Sequence, residues 1–385
     1  MFVIPNLIGG GAQKTVANLS LILKEYYDIY IVTFHESVEK YTYNGKYYCL
    51  NFNLTKNKLI NKINLLRKII LLKKIKKEAS IDVSISFLPE ADVFNMLASI
   101  GEKRIISIRN NLSNAAYIKG RFKNLFMKSL SSCSKIVAIT NGVREDMITN
   151  FKIDKNKITT IYNPAMTIKF SENKMINEKL FSTPTIITVG RLEHQKGQWH
   201  LIRAFKKVVE EYDNSMLLIL GEGSLKKYLE NLIKDLGLES NIKLLGFKEN
   251  PYDYIKKSDI FVFPSLYEGL GNTLLEVLQL GIPIISTDCN FGPREILSPE
   301  SDYKMRIYNS IDFSSDYGVL VPIFDGKLYN ANDTLTKEEL IMSSAILKVL
   351  KNSELRSKLS YKEKERAKHF SEKIIANEWR KVIDE

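Results

Sequence analysis

Two glutamates eight residues apart, Glu268 and Glu276, stand in the stretch Phe261 to Asp288, FVFPSLYEGLGNTLLEVLQLGIPIISTD. The apolar run Asp259 to Phe263 predicts a buried strand, and Thr273 to Leu280 carries apolar residues at helical spacing. Between them Pro264, Ser265, Gly269, Gly271 and Asn272 predict a loop, so the order is strand, loop, helix. A helix beginning near Asn272 presents backbone N–H groups without intrahelical partners and a partial positive charge, which suits a phosphate. Glycines let backbone approach such a ligand closely, Glu276 in the first turn would accept hydrogen bonds from sugar hydroxyls, and Glu268 would face the ligand side of the loop. A nucleotide sugar carries both kinds of group. The plainer alternative makes Glu268 a solvated loop residue and Glu276 a favourable charge near a helix start.

A second phosphate signal lies upstream. Gly190-Arg191-Leu192 follows the strand expected at Thr185 to Val189, and Gln195-Lys196-Gly197 precedes a helical run from Trp199 to Glu210. Two cations and two glycines are thereby offered at a strand-to-helix turn, where open α/β sheets bind ligands. Arg191 brings a planar fork and Lys196 a mobile point charge, a combination suited to a diphosphate leaving group. Gly221-Glu222-Gly223 predicts another tight turn at the same edge, and Gly246-Phe247 with Asn250-Pro251 a loop able to read a planar base. Near the start, Gly9-Gly10-Gly11-Ala12-Gln13-Lys14 follows the first strand and opens a helix. It misses the G-x-G-x-x-G spacing and lacks a ribose-binding acid at the usual distance, which argues against NAD.

The elements that must position these residues follow from the alternation. Strands are expected at Phe2 to Pro5, Ile29 to Phe34, Val83 to Phe87, Arg104 to Ile108 and Ile136 to Ile139. A second series is expected at Thr185 to Val189, Met216 to Leu220, Ile242 to Leu245, Asp259 to Phe263 and Ile282 to Ser286. Helical stretches lie between, so both halves predict parallel α/β sheets. The polar, Lys- and Asn-rich stretch Asn163 to Pro184 predicts the interdomain linker, and Phe370 to Ile383 an amphipathic helix with Ile375 and Trp379 on its apolar face. A length of 385 residues suits two domains of roughly 150 to 200 residues each.

Composition narrows the function classes. Cys49, Cys133 and Cys289 give neither a disulfide framework nor a zinc spacing, and the four histidines form no paired ligand pattern, so no metal is expected. No apolar run is long enough to span a bilayer, and Phe2-Val3-Ile4 follows the initiator without a basic leader, which makes the cytoplasm the expected location. The net charge of +12 calls for an anionic partner or surface. Lys56 to Lys77, KNKLINKINLLRKIILLKKIKK, fits two readings: a helix lying on an anionic membrane leaflet, or a core-packed helix with a basic solvent face. Nucleic acid is not expected as a partner, because no recognition motif accompanies the charge.

Gly9 to Lys14, Gly190-Arg191-Leu192 with Lys196-Gly197, Gly221-Glu222-Gly223, Pro264-Ser265 with Glu268-Gly269, Glu276 and Gly281-Ile282-Pro283 together resemble the family-four retaining glycosyltransferases of the GT-B fold. The resemblance covers nearly the whole chain and is densest from Ile186 to Leu297. DCNFGPREIL (288–297) and YGVLVP (317–322) resemble the subgroup building bacterial surface polysaccharides and lipid-linked oligosaccharides.

The resemblance implies an α/β chain of two Rossmann-like domains whose parallel sheets face each other across a cleft. It implies an acceptor-binding domain at 1–165, a nucleotide-sugar-binding domain at 166–365, and a C-terminal helix at 366–385 returning to the first. The implied activity moves a hexose or N-acetylhexosamine from a UDP-sugar to a lipid-linked saccharide, with retention and without a metal. Arg191 and Lys196 would hold the donor diphosphate with the backbone of Gly190, Gly271, Asn272 and Thr273. Glu276 would bind the ribose, Glu268 the transferred sugar, and the loop Gly246 to Asn250 the base, while Gly10 and Gly11 would face the diphosphate from the other domain. Relatives carry a histidine near the donor sugar where this chain has Ser107-Ile108-Arg109-Asn110-Asn111, so Arg109 or Asn110 is the candidate for its place. The rival readings are a UDP-sugar epimerase of similar fold, a dinucleotide-dependent oxidoreductase and a noncatalytic binding module.

Overall fold

Apolar runs of a few residues, separated by longer amphipathic stretches, pair most readily as parallel strands whose crossover helices cover the sheet faces. The computed structural model describes residues 1–36, 41–51, 58–113, 120–170 and 181–385. They divide into two compact units, Met1–Pro164 with Ser371–Glu385, and Ala165–Phe370.

The first unit runs β1 (Phe2–Ile4), α1 (Gly11–Leu23), β2 (Tyr30–Thr33), β3 (Lys46–Cys49), α2 (Lys58–Glu78) and β4 (Val83–Phe87). It continues through α3 (Pro89–Leu97), β5 (Lys103–Ile108), α4 (Gly120–Ser132), β6 (Lys135–Ala138), α5 (Asn141–Phe151) and β7 (Ile158–Thr160). Its seven strands lie in the order β3-β2-β1-β4-β5-β6-β7, all parallel.

The second unit contains β8 (Thr185–Val189), α6 (Gln198–Glu211), β9 (Met216–Leu220), α7 (Lys226–Asp235), β10 (Ile242–Gly246), α8 (Tyr252–Lys256), β11 (Ile260–Phe263) and α9 (Asn272–Leu280). It ends with β12 (Ile284–Thr287), α10 (Pro293–Leu297), β13 (Val319–Val321), α11 (Lys337–Lys351) and α12 (Ser353–Ala367). Its parallel order is β10-β9-β8-β11-β12-β13. The last helix, α13 (Glu372–Asp384), belongs to the first unit and buries Ile375, Ala376, Trp379 and Val382, the apolar face expected of it.

Each sheet reverses its strand order once, between β1 and β4 and between β8 and β11. The crevice outside the carboxyl ends of such strands is where open α/β sheets take ligands. Buried Ile186, Leu217, Ile219, Val262 and Ile285 from the second sheet pack with Trp199 and Phe205 of α6 and Ile346 of α11. The start of α11 is fixed by a capping box in which Thr336 and Glu339 satisfy each other's backbone N–H groups.

Three short strands escaped the sequence pattern: β3, β7 and β13, of three or four residues each. The change of unit falls inside the stretch expected as the linker, near its start. The first unit ends at Pro164, and residues after it already bind the second: the Met166 carbonyl accepts from Gln279 Nε2 at 3.1 Å and the Lys169 carbonyl from Asn250 Nδ2 at 3.0 Å. Residues 171–180 of the expected linker lie outside the described residues.

Helix α2 packs Leu72, with Ile69 and Ile75, on the core of the first unit, but its outer face is not simply basic. Lys68, Leu72 and Lys76, one turn apart, are buried, whereas Ile63, Leu65, Leu66, Ile70 and Leu71 are exposed, Ile70 by 65%. Lys68 Nζ lies 5.1 and 5.2 Å from the ring centroids of Phe34 and Phe94 and 3.4 Å from Glu90. Lys76 pairs with Glu102 and donates to the Asn95 carbonyl at 3.2 Å. The lysine stems supply apolar volume and their heads find partners, so Lys68 and Lys76 share the inner face with Leu72, Ile69 and Ile75, and the outer face sets exposed leucines and isoleucines among Arg67, Lys73 and Lys74. Lys56 and Asn57 of the expected helix lie outside the described residues.

Candidate functional site

In the second unit the loops after β8 and β11 emerge side by side at the strand-order reversal. Val189 leads into Gly190, and residues His194–Lys196 form one 3-10 turn that ends at Gly197 in the left-handed region, φ 61°. A Cβ at Gly197 would lie 2.3 Å from the Pro264 carbonyl oxygen, so only glycine lets α6 begin against the end of β11. Gln195 ties the two loops together: its carbonyl accepts from Leu266 N–H at 2.8 Å, and its Nε2 donates to the Tyr267 carbonyl at 2.8 Å. Gln198 Nε2 donates to the Arg191 carbonyl at 2.9 Å.

This bracing brings Lys196 Nζ to 2.5 Å from Glu268 Oε1, with the two side chains 17% and 8% exposed. The ammonium also lies 5.2 Å from the Phe263 ring centroid. The loop leaves the first residues of α9 beginning after Gly271, which sits at φ 90° and has no side chain to cap the helix. Asn272 and Thr273 are its first two residues. Glu276 is the fifth residue of α9, so it stands in the second turn rather than in the expected first; the left-handed Gly271 sets the start of the helix there.

The neighbouring loops are pinned in series. Gly190 N–H donates to the Leu220 carbonyl at 3.0 Å, Leu192 N–H to Glu222 at 2.9 Å and Gly221 N–H to Gly246 at 2.9 Å. Glu193 accepts from Ser224 N–H at 2.9 Å and Ser224 Oγ at 2.7 Å, bonds that hold its carboxyl below the usual range. Arg191 is exposed on the same turn. Phe247, 72% exposed, projects from the loop after β10. Asn250 donates to Lys169 and accepts from Tyr252 N–H at 3.1 Å, so it shapes the loop from within.

In the first unit, Gly10 precedes α1 and Gly11 is its first residue. Gly10 N–H donates to Tyr41 Oη at 3.2 Å. Arg109 follows β5 and is only 6% exposed. Its guanidinium donates to Ser107 Oγ at 3.2 Å, to Thr15 Oγ1 on α1 at 3.4 Å and to Asn163 Oδ1, while Nε has no hydrogen-bond partner among the described residues. Burial lowers its pKa to about 9. The structure thus joins Arg109 to the helix after the glycines.

Sequence reasoning missed Gln195, Gln198, Glu193, Thr15 and Asn163. Gln195 carried a signal, adjacency to Lys196 in a strand-to-helix turn. Asn163 carried only its place before Pro164. Among the described residues no group of three or more His, Cys, Asp or Glu side chains is arranged to hold a metal ion, and no helix is long and apolar enough to cross a membrane.

Comparison with known proteins covers both units. The family model described as Glycosyltransferase Family 4 matches residues 9–167, and that described as Glycosyl transferases group 1 matches residues 170–305. An uncharacterized glycosyltransferase of Methanocaldococcus jannaschii is 34% identical over 354 residues, spanning 86% of each chain. The N-acetylgalactosamine-N,N'-diacetylbacillosaminyl-diphospho-undecaprenol 4-alpha-N-acetylgalactosaminyltransferase of Campylobacter jejuni is 28% identical over 388 residues, covering 99% of this chain and 98% of its own. The crystal structure of HepE from Anabaena in complex with UDP matches with a TM-score of 0.72 at 15% identity, over 100% of this chain and 98% of that one. With both halves matched by family models and the fold shared end to end, the chain belongs to the family-four glycosyltransferases and has their GT-B fold.

Proposed function

We propose that this glycosyltransferase moves a hexose or N-acetylhexosamine from a UDP-sugar to a lipid-linked saccharide, with retention at the anomeric carbon and without a metal. The observation that carries the reading is the Lys196–Glu268 pair, 2.5 Å apart at the strand-order reversal, beside a helix whose first N–H groups follow a glycine. Lys196, the exposed Arg191 and the α9 N-terminus supply fixed positive charge where the UDP diphosphate departs, which is the electrostatic work a metal would otherwise perform. Glu268 contacts the transferred sugar, Glu276 the ribose, and Phe247 the base. Arg109 acts indirectly, holding α1 and hence Gly10 and Gly11.

The acceptor reading is supported by the name of the Campylobacter relative, which specifies a diphospho-undecaprenol-linked saccharide, and the donor reading by the UDP complex of HepE. Helix α2 favours action at the inner face of the cytoplasmic membrane. Its exposed Leu65, Leu66 and Ile70 are interspersed with Arg67, Lys73 and Lys74, an apolar and basic combination that binds anionic leaflets.

Thermal unfolding with UDP, GDP and ADP, each with and without EDTA, tests the donor. A ligand of the folded state adds about 2.7 kcal/mol at a hundredfold excess over its Kd. A UDP-selective rise that survives EDTA is expected; a response to another nucleotide alone, or one abolished by EDTA, contradicts the reading. Turnover of UDP-sugar without acceptor would favour the epimerase.

A further inference from the structure

The stretch from His194 to Arg203 holds more polar machinery than a diphosphate turn requires. It reaches across to residues 322–336, the connection between β13 and α11. His194 Nε2 donates to the Gly326 carbonyl at 2.7 Å and Trp199 Nε1 to the Lys327 carbonyl at 2.7 Å. Arg203 Nη1 donates to the Asn330 carbonyl at 2.6 Å and Nη2 to the Thr334 carbonyl at 2.8 Å. Beneath them, Glu339 Oε1 accepts from Arg203 Nε at 2.9 Å and lies 2.7 Å from His200 Nδ1, with all three residues buried. The His200 ring stacks on Phe324, centroids 4.5 Å apart and planes 13° from parallel.

A buried charged network of this kind costs desolvation, and apolar packing would close a loop as stably; what the network adds is one defined geometry. That geometry has a target. Gly326, at φ 74°, comes so close to the Glu268 loop that a Cβ there would lie 3.1 Å from Leu266 Cδ1 and 3.5 Å from the His194 ring. Leu266 is bonded to Gln195, and His194, Gln195 and Lys196 form one 3-10 turn. The connection is therefore wedged against both segments that bear the Lys196–Glu268 pair.

We propose that His194 and Trp199 are positioning residues for donor binding: by fastening Gly326 and Lys327 they hold the Lys196 turn at the height the diphosphate needs. This rests on the reading of Lys196 as the diphosphate cation. Both act through the connection they fasten.

Calorimetric titration with UDP and with UMP separates positioning from general destabilisation, because UMP lacks the second phosphate. His194 is exposed, so His194→Ala should fold, and Trp199→Phe keeps an aromatic ring in the core. Both variants are expected to lose about tenfold in UDP affinity, the scale of one charge-assisted hydrogen bond, with UMP affinity held. His194→Gln, which can still donate to the Gly326 carbonyl, should recover UDP binding. Wild-type UDP affinity in both truncating variants, or equal losses for UDP and UMP, would overturn the inference while leaving the donor reading intact. A wild-type protein that binds no UDP would overturn both.

Discussion

Lys196 and Glu268 neutralise each other across 2.5 Å, so an arriving diphosphate must share or take the ammonium from the carboxylate. Lys196→Ala is expected to weaken UDP binding at least tenfold, in keeping with about 1.5–3 kcal/mol for a hydrogen bond to a charged group. Glu268→Gln frees the Lys196 ammonium, so UDP binding should tighten while transfer falls on the order of a hundredfold, the loss typical of one preorganised electrostatic contact. Calorimetry and product assays check the two; a Glu268→Gln enzyme with full turnover would remove Glu268 from the chemistry. A separate titration belongs to Asp92, whose carboxyl is pushed up to about 8 by burial. Between the ordinary carboxylate value of about 4 and that figure, the folded chain binds more protons than the unfolded one. Stability should therefore fall as pH rises through this window. Asp92→Asn should flatten that slope, so its melting temperature should gain on the wild type between pH 5 and pH 8.5; an unchanged gap would contradict the assignment. Lys196 and Glu268 were legible because glycines and a proline flank them in strand-to-helix turns. Arg109 and Asn250 were not, since their partners Asn163 and Lys169 lie 54 and 81 residues away.

At the scale of elements, the positions of loops depend on how helices start and pack. Gly197→Ala would press a Cβ against the Pro264 carbonyl in a left-handed conformation, and an expected loss of about 1–3 kcal/mol should accompany weaker UDP binding. Urea unfolding combined with calorimetry measures both; a neutral substitution would show that α6 does not need its close approach to β11. Helix α13 buries Trp379 to 1% exposure in the first unit, so Trp379→Ala should destabilise that unit by about 3–5 kcal/mol. The alternation of strand and helix was readable in most strands that ran as a contiguous apolar stretch, as in FVF at 261–263. It failed for KYYC at 46–49, where the pattern mixes exposed and partly buried residues, and for the three-residue β7 and β13. In α2 the periodicity was sound, but the inner face was only partly readable: Leu72 lies on it as its type suggests, and Lys68 and Lys76 lie beside it. Lysine stems can occupy an inner face when Phe34, Phe94 and Glu102 receive their heads, and those partners come from other elements.

For the whole molecule, the net charge of +12 and the outward apolar face of α2 bear on where the enzyme works. Replacing Leu66 and Ile70 with serine should abolish co-sedimentation with anionic vesicles at low salt and leave UDP-induced stabilisation unchanged, because both residues lie in the first unit and the proposed diphosphate cations in the second. Vesicle binding that survives the double substitution would assign the surface elsewhere. The central claim is the reaction itself. Its most direct test is incubation with a UDP-sugar and an undecaprenyl-diphosphate-linked saccharide in EDTA, with the anomeric configuration of the new bond read by NMR. A lipid-linked product that keeps the donor's configuration, formed without divalent ions, is the predicted result; an inverted linkage, or transfer restored only by a metal, would contradict it.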